Sequence, residues 1–267
     1  MASAISLALN YYNDLFLQKR DERSVHLPMA GSPLLILGIV GVYLYFVLRC
    51  GPRHMANRKP YKLGTIIKSY NLVQVIANGM LFLRICYNVF IVYDKFSFGC
   101  QLIDYSTSRV GMDEMYFSYA YFCLKLFDLA DTVFFVLRKK QSHVSFLHVY
   151  HHSLMVITTY CGLVFVPGGH VLMLGIWNTL VHAIMYFYYF LASQRSGQNS
   201  IWWKKYLTRL QLVQFTHLAF HFGRPLFNGN CTFPLFWLWY GFLQAIIVLL
   251  LFLNFYFKAY LTHPKIK

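Results

Sequence analysis

Long runs of apolar residues, separated by short polar segments, dominate the chain. A membrane-spanning helix needs roughly 20 mainly apolar residues, and several of the runs reach that length. Neither a Ser-, Gly- or Pro-rich linker nor a fixed-period repeat interrupts them, so we predict one domain over residues 1–267. The expected fold class is all-α, an integral membrane protein of seven transmembrane helices. The predicted spans cover about residues 33–49, 69–93, 115–137, 145–166, 169–192, 208–223 and 235–257.

Basic residues concentrate in every second connection between the predicted spans, and acidic residues lie together between spans two and three. By the positive-inside rule, the basic connections and the C-terminus face the cytosol, and the N-terminus faces the opposite side. The first 30 residues lack the apolar core of a signal peptide, so we expect the first span to direct insertion. The basic residues are Arg49, Arg53, Arg58, Lys59, Lys62 and Lys68; Arg138, Lys139 and Lys140; Arg195, Lys204, Lys205 and Arg209; and Lys258, Lys265 and Lys267.

Composition supports lipid as the surrounding solvent. Only 12% of the residues are charged, against about a quarter in an average soluble domain. The formal net charge of +15 raises the question of nucleic acid, but the basic residues follow the span boundaries instead of forming a soluble basic face. We therefore expect no nucleic-acid partner.

Six cysteines occur without a CxxC pair, which argues against a zinc site or a dense disulfide framework. Cys100 and Cys231 fall in two connections on the predicted non-cytosolic side. A disulfide between them is one interpretation, because that side of a secretory membrane is oxidising. Two unrelated thiols are the other.

Ionisable residues inside predicted spans are costly in lipid and usually mark a cavity or a site. On span three, Lys125, Asp128 and Thr132 repeat at i, i+3 and i+7 and so share one helix face, with Asp131 adjacent.

Three further spans carry polar stripes. Span four places three imidazoles within about one helical turn. From the helical rise of about 1.5 Å per residue, we expect these stripes to meet Asp131 in one chamber in the cytosolic half of the membrane. The stripes are His148, His151 and His152 on span four; Asn178, His182, Met185 and Tyr189 on span five; and Gln211, Gln214, His217 and His221 on span six.

Structural interpretations of these residues stand beside the functional one. A single His or Gln in a helix bundle commonly bonds to a neighbouring helix. Lys125 and Asp128 can neutralise each other as a buried pair. Tyr186, Tyr188 and Tyr189 fit an aromatic belt at the membrane interface.

The triple histidine allows two kinds of chemistry. Imidazoles bind iron or zinc, but membrane di-iron enzymes use three histidine boxes and this sequence has one, so we expect no metal. The alternative is nucleophilic catalysis, in which a neutral imidazole attacks a thioester and holds the acyl group.

The chain resembles the very-long-chain fatty acid elongases, the ELO family of condensing enzymes of the endoplasmic reticulum. The histidine box of that family is similar to QSHVSFLHVYHH at 141–152. Further segments resemble its other motifs: GPRHMANRKPYKL at 51–63, YNLVQV at 70–75, KLFDLADT at 125–132, NTLVHAIMYFYY at 178–189 and TRLQLVQ at 208–214. Asp128 departs from the pattern, because the family usually has Glu at that position.

The resemblance implies an enzyme that condenses a long acyl-CoA with malonyl-CoA, giving a 3-ketoacyl-CoA, carbon dioxide and CoA. It implies a multi-pass protein of the endoplasmic reticulum membrane with a luminal N-terminus, an enclosed acyl tunnel, a cytosolic CoA entrance and an oxidised luminal cysteine pair. His151 becomes the acyl-accepting nucleophile, although His152 or His182 remains an alternative. No cofactor is expected, and the later enzymes of the elongation cycle are implied partners.

The implied catalytic residues are His148, His151, His152, His182, Asp128 and Lys125. The implied substrate-binding residues are Asp131, Thr132, Asn178, Tyr186, Tyr189, Gln211, Gln214, Arg58, Lys59, Lys139, Lys140 and Lys204, the basic ones for CoA phosphates. A seven-helix receptor or lipid transporter with the same polar chamber is the second hypothesis.

Overall fold

The described part of the computed structural model is helical, with no strand. It comprises residues 19–194, 203–229 and 231–261, together with Ser6, Asp14 and Phe16. Arg195, Lys265 and Lys267, which enter the charge pattern, lie outside it. Seven long helices follow one another: α1 Pro33–Met55, α2 Gly64–Val92, α3 Arg109–Leu137, α4 Phe146–Phe165, α5 Leu172–Gln194, α6 Lys204–Asn228 and α7 Leu235–Tyr260.

The helices coincide with the seven predicted apolar runs but extend past most of them. Helix α6 gains four residues at its start and five at its end relative to 208–223. Helix α3 begins at Arg109, where Ser108 caps it by accepting a hydrogen bond from the Gly111 N–H at 3.0 Å. The hydropathy pattern underestimates the length of these helices. Their terminal turns contain polar residues, which take part in the helix but do not lengthen the apolar run.

Four segments are long and apolar enough to cross a membrane: Pro33–Met55, Gly64–Val92, Gly169–Gln194 and Leu235–Tyr260. Helices α3, α4 and α6 are the other three long helices of the described chain. Each carries buried ionisable or amide side chains, such as Asp128, His152 and Gln214, which lower its mean hydropathy.

Helices α2 to α7 all contribute walls to one apolar cavity, whereas α1 packs outside against α3 and α4. The closest helix pairs are α2 with α5, α6 with α7, and α3 with α4. The core between α1, α3 and α4 includes Val40, Phe122 and Val156, each at most 5% exposed.

At one end of the bundle, called here the basic end, the connections between α1 and α2 and after α3 meet. The Tyr61 N–H donates to the Leu137 carbonyl at 3.1 Å. Lys139 has a positive φ of 55° and donates from Nζ to the carbonyl oxygens of Ala56 and Arg58, both at 3.0 Å. This lysine therefore joins the two connections.

At the opposite end, called here the disulfide end, Cys100 is bonded to Cys231 with a Cα–Cα distance of 5.6 Å. Nearby, Glu114 accepts hydrogen bonds from the Tyr93 hydroxyl and the Gly169 N–H. Gly169 has a φ of 58°, in the left-handed region that glycine tolerates. The disulfide and Glu114 thus fix the connections at this end.

Candidate active site

Asp128 is the most heavily bonded carboxylate of the buried polar network. Its Oδ2 accepts from Lys125 Nζ at 2.7 Å, and its Oδ1 accepts from Gln74 Nε2 at 2.6 Å and from the Tyr186 hydroxyl at 3.0 Å. Both side chains of the Lys125–Asp128 pair are 2% exposed. Buried ionic groups are tolerated when a partner and further hydrogen bonds satisfy them, as here.

His182 joins this pair from α5. Its Nδ1 lies 3.3 Å from Lys125 Nζ and 3.4 Å from Asp128 Oδ2. The i, i+3 spacing on α3 and the inward face of α5 therefore bring three predicted site residues together.

A second carboxylate, Asp131, is connected to this cluster through the hydroxyl of Tyr186. The Tyr186 hydroxyl contacts it at 2.6 Å and also lies 3.4 Å from the Tyr70 hydroxyl. Tyr186 is fully buried, so it belongs to the network and not to an interfacial belt. Tyr189 packs edge-on against it, with ring centroids 6.0 Å apart, and is 36% exposed.

The histidine box occupies the first two turns of α4. Ser145 caps this helix by accepting a hydrogen bond from the His148 N–H at 3.3 Å. His148 Nε2 lies 2.9 Å from Thr132 Oγ1, and the rings of His148 and His152 are 4.2 Å apart. These two imidazoles therefore face α3.

His151 points elsewhere, into the apolar cavity, and its ring lies edge-on to Phe215 at 6.5 Å. Its buried Nδ1 has no hydrogen-bond partner among the described residues. His151 is the histidine of the box that lines the cavity.

The cavity continues along α4 from His151 to Val166, a helical rise of about 22 Å. Its few polar contacts join α4 to α7: Thr158 bonds Tyr240, and the Tyr150 hydroxyl donates to Gln244 Oε1 at 3.2 Å. The wall includes Phe117, Tyr121, Leu154, Met155, Gly162, Leu172, Leu218, Phe222 and Trp237. A slot of this composition suits an apolar chain.

The predicted amide residues Asn178, Gln211 and Gln214 lie outside the hydrogen-bonded network around Asp128. Asn178 and Gln214 are buried, and each has one side-chain polar atom without a partner among the described residues, Oδ1 and Nε2 respectively. Gln211 Nε2 lies 3.9 Å from the sulfur of Met185. In the described part of the chain, none of the three bonds directly to the Asp128 cluster.

His221 pairs with His170 instead of the histidine box, and the His217 ring packs against Trp177 with centroids 5.3 Å apart. His221 stacks on His170 with centroids 3.8 Å apart, and each Nε2 contacts the other's backbone carbonyl, at 2.9 and 3.1 Å. This pair tightens the disulfide end.

The basic residues expected to bind CoA phosphates divide into two groups. Lys139 braces the connections at the basic end, and Arg58 donates to the Tyr61 hydroxyl at 3.2 Å. Lys59, Lys140 and Lys204 are exposed, as are Arg58 and Lys139. Positive charge is concentrated around the His143 imidazole. Partial burial and the neighbouring cations Lys140, Lys204 and Arg138 therefore lower the pKa of His143.

Sequence reasoning missed the contribution of α2. Tyr70, Gln74 and Asn78 are buried on one face of that helix and continue the network from Asp128. Their i, i+4 and i+8 spacing was a visible signal, lying within and just beyond the YNLVQV segment. Within the described residues, no group of three His, Cys, Asp or Glu side chains has a geometry able to hold a metal ion.

The sequence model of ELO, the GNS1/SUR4 family, matches residues 28–267. The chain belongs to the ELO family. The family resemblance seen in the sequence motifs is thereby confirmed, and this ELO protein is a membrane protein with several apolar helices.

Curated relatives match the ELO protein over most of its length. It is 38% identical over 266 residues to very long chain fatty acid elongase 7 of Rattus norvegicus, covering 96% of this chain and 90% of the relative. It is 36% identical over 250 residues to very long chain fatty acid elongase 7 of Drosophila melanogaster, covering 93% and 75%. It is 34% identical over 267 residues to very long chain fatty acid elongase 1 of Homo sapiens, covering 94% and 90%.

Proposed function

We propose that this ELO protein is a very-long-chain fatty acid elongase, an acyltransferase that condenses long-chain acyl-CoA with malonyl-CoA to 3-ketoacyl-CoA. Family membership and relatives named as elongases support the broad activity. The observation that carries the chemistry is the position of His151, which lies where the buried polar network adjoins the apolar cavity. A substrate that combines a thioester with a long apolar tail fits that junction.

In the first half-reaction, an imidazole nitrogen of His151 attacks the acyl-CoA thioester. The new C–N bond forms as the C–S bond breaks, and CoA leaves as a thiolate that takes up the N–H proton released by the acylated imidazole. The acyl tail then occupies the cavity, where each buried methylene contributes about 0.8 kcal/mol.

In the second half-reaction, the C–C bond to the carboxylate of malonyl-CoA breaks and carbon dioxide leaves, which generates an enolate. The enolate carbon attacks the acyl-imidazole, the C–N electron pair returns to His151, and the imidazole takes up a proton from solvent to become neutral again. Donors near the enolate oxygen stabilise this step. His182, Lys125 and Asn178 are the buried candidates on the facing helices.

We assign to His148 and His152 the role of shaping the histidine box. Thr132 and Asp131 are assigned to substrate binding beside it. The exposed Lys59, Lys140 and Lys204 supply charge for the CoA phosphates, with Gln211, Gln214 and Tyr189 around the chamber. Neither step needs a cofactor or a metal, because the imidazole supplies the nucleophile and decarboxylation supplies the carbanion.

The proposal extends to the membrane. All seven helices span it, including α3, α4 and α6, whose polar side chains face the enclosed tunnel and its neighbours. The basic end faces the cytosol and the disulfide end faces the lumen of the endoplasmic reticulum, because positive charge is retained on the cytosolic side. The product would pass to the later enzymes of the elongation cycle.

The test uses purified full-length protein, a panel of acyl-CoAs and radiolabelled malonyl-CoA without a reductant, so that the product stops at the 3-keto stage. We expect wild-type protein to form 3-ketoacyl-CoA and His151→Ala to form none. Labelled acyl-CoA alone should leave acyl groups on wild-type protein and not on His151→Ala. A folded wild-type protein that forms no product with any acyl-CoA would favour the receptor or transporter hypothesis.

A further inference from the structure

Gln74 on α2 is a fully buried side chain whose amide is held at both ends. Its Nε2 lies 2.6 Å from Asp128 Oδ1 and 3.1 Å from the Tyr70 hydroxyl. Its Oε1 accepts from Asn78 Nδ2 at 3.2 Å. Because the carboxylate paired with Lys125 only accepts, the nitrogen of the Gln74 amide must face it.

The position of Asp128 in turn decides where Lys125 donates. Lys125 Nζ lies 2.7 Å from Asp128 Oδ2 and 3.3 Å from His182 Nδ1. An ammonium group is a donor only, so His182 Nδ1 is the acceptor in this contact. The same nitrogen lies 3.4 Å from Asp128 Oδ2, but that carboxylate oxygen already accepts from Lys125 at the shorter distance. A neutral imidazole that accepts at Nδ1 carries its proton on Nε2.

We propose that Gln74 is a positioning residue that sets the tautomer of His182. By holding Asp128, it keeps Lys125 between the carboxylate and the imidazole, and His182 then presents an Nε2–H donor to an oxygen of the substrate. His151, whose Nδ1 is unpartnered, remains the nucleophile. The inference rests on the proposed condensation, in which the enolate oxygen needs such a donor.

The chain contains a matched contact for comparison. Asn88, also fully buried on α2, donates to Asp113 on α3 at 2.9 Å. Both contacts therefore join an amide of α2 to an aspartate of α3. Only the Gln74 contact reaches Lys125 and His182.

The experiment compares Gln74→Met with Asn88→Leu in the condensation assay, after size-exclusion chromatography shows monodisperse protein. We expect Gln74→Met to lower kcat about 10- to 100-fold, the range for losing one hydrogen bond to a charged group. The KM for acyl-CoA should stay within about 3-fold, since the tail still occupies the cavity. Asn88→Leu should keep kcat near the wild-type value.

The half-reactions separate positioning from packing. Gln74→Met should still become acylated by labelled acyl-CoA through His151, while condensation with malonyl-CoA is slowed. Should Gln74→Met aggregate, Gln74→Leu is used instead: it is also apolar and lacks the donor, and we expect the same loss of kcat.

Three results decide the matter. An unchanged kcat in Gln74→Met or Gln74→Leu would overturn the inference. So would equal losses in Gln74→Met and Asn88→Leu, which indicate packing alone. A wild-type protein without product contradicts the proposed function instead, so the two failures are distinguishable.

Discussion

Thr132 Oγ1 lies 2.9 Å from His148 Nε2 and 2.7 Å from the hydroxyl of Tyr43. This threonine therefore links the histidine box on α4 to α1. The residues that line the cavity lie on the other six long helices and the segments beside them, not on α1. The contact fixes the His148 ring, which packs against His152.

We predict that Thr132→Val lowers condensation activity by about 10-fold, because it removes the partner of two buried polar groups, a cost of about 1–3 kcal/mol. The valine keeps the volume of the side chain. The control is Thr179→Val on α5, whose hydroxyl bonds only its own helix backbone, at Gly175 and Ile176. Equal activities of the two variants would show that Thr132 does not order the box.

A second prediction concerns Gly162, which lines the cavity on α4. A Cβ at this position would meet no atom within 4 Å, so the space beside it is open. We expect Gly162→Leu to fill part of the cavity and to shift the acyl-CoA preference toward shorter chains. Each methylene that is excluded should cost roughly 0.8 kcal/mol, about 4-fold in relative kcat/KM.

The matched control is Gly38→Leu on α1, where the added side chain also meets open space but lies outside the cavity wall. Products of both variants are compared by mass spectrometry over a series of acyl-CoA lengths. An unchanged length profile for Gly162→Leu would argue that the acyl tail does not occupy this cavity.

The sequence predicted the positions of the helices and the residues of the histidine box because both depend on local spacing. It predicted that polar stripes of several spans meet in one chamber, but not which of their side chains bond across helices. The Gln74 contact with Asp128 depends on the relative register of α2 and α3, which no single-helix pattern contains.

Lys139 shows a second reason for the limits of sequence reasoning. Its charge predicts phosphate binding, and that prediction stands; its left-handed backbone at the end of α3 also turns the side chain toward two carbonyls of the preceding connection. Carbonyls near helix ends lack intrahelical partners and compete for such donors. A count of charges cannot anticipate that competition.

The disulfide between Cys100 and Cys231 closes a loop with a sequence separation of 131 residues. Restricting so long a loop in the unfolded chain is typically worth about 2–4 kcal/mol. We therefore expect Cys100→Ser with Cys231→Ser to lower the temperature at which detergent-purified protein loses its monodisperse peak.

Reductant provides the control for this prediction. It should lower the stability of the wild-type protein toward that of the double variant, and it should leave the double variant unchanged. A double variant as heat-stable as the wild type would mean that other contacts hold the disulfide end, such as the stacked His170 and His221.

The last prediction concerns pH at the basic end. Partial burial and the cations Lys140, Lys204 and Arg138 lower the pKa of His143 below its usual 6.5. A group whose pKa is depressed by folding contributes stability above its unfolded pKa, and this contribution is lost as pH falls through the folded value.

A bound polyphosphate would offset the cations and raise the pKa of His143, so binding takes up a proton. CoA, measured as a competitive inhibitor, should therefore bind more tightly as pH falls from about 7.5 to about 6. His143→Asn should flatten this dependence, whereas His54→Asn, at another imidazole of the basic end that bonds Tyr61, should retain it. The same slope in both variants would place the CoA phosphates away from His143.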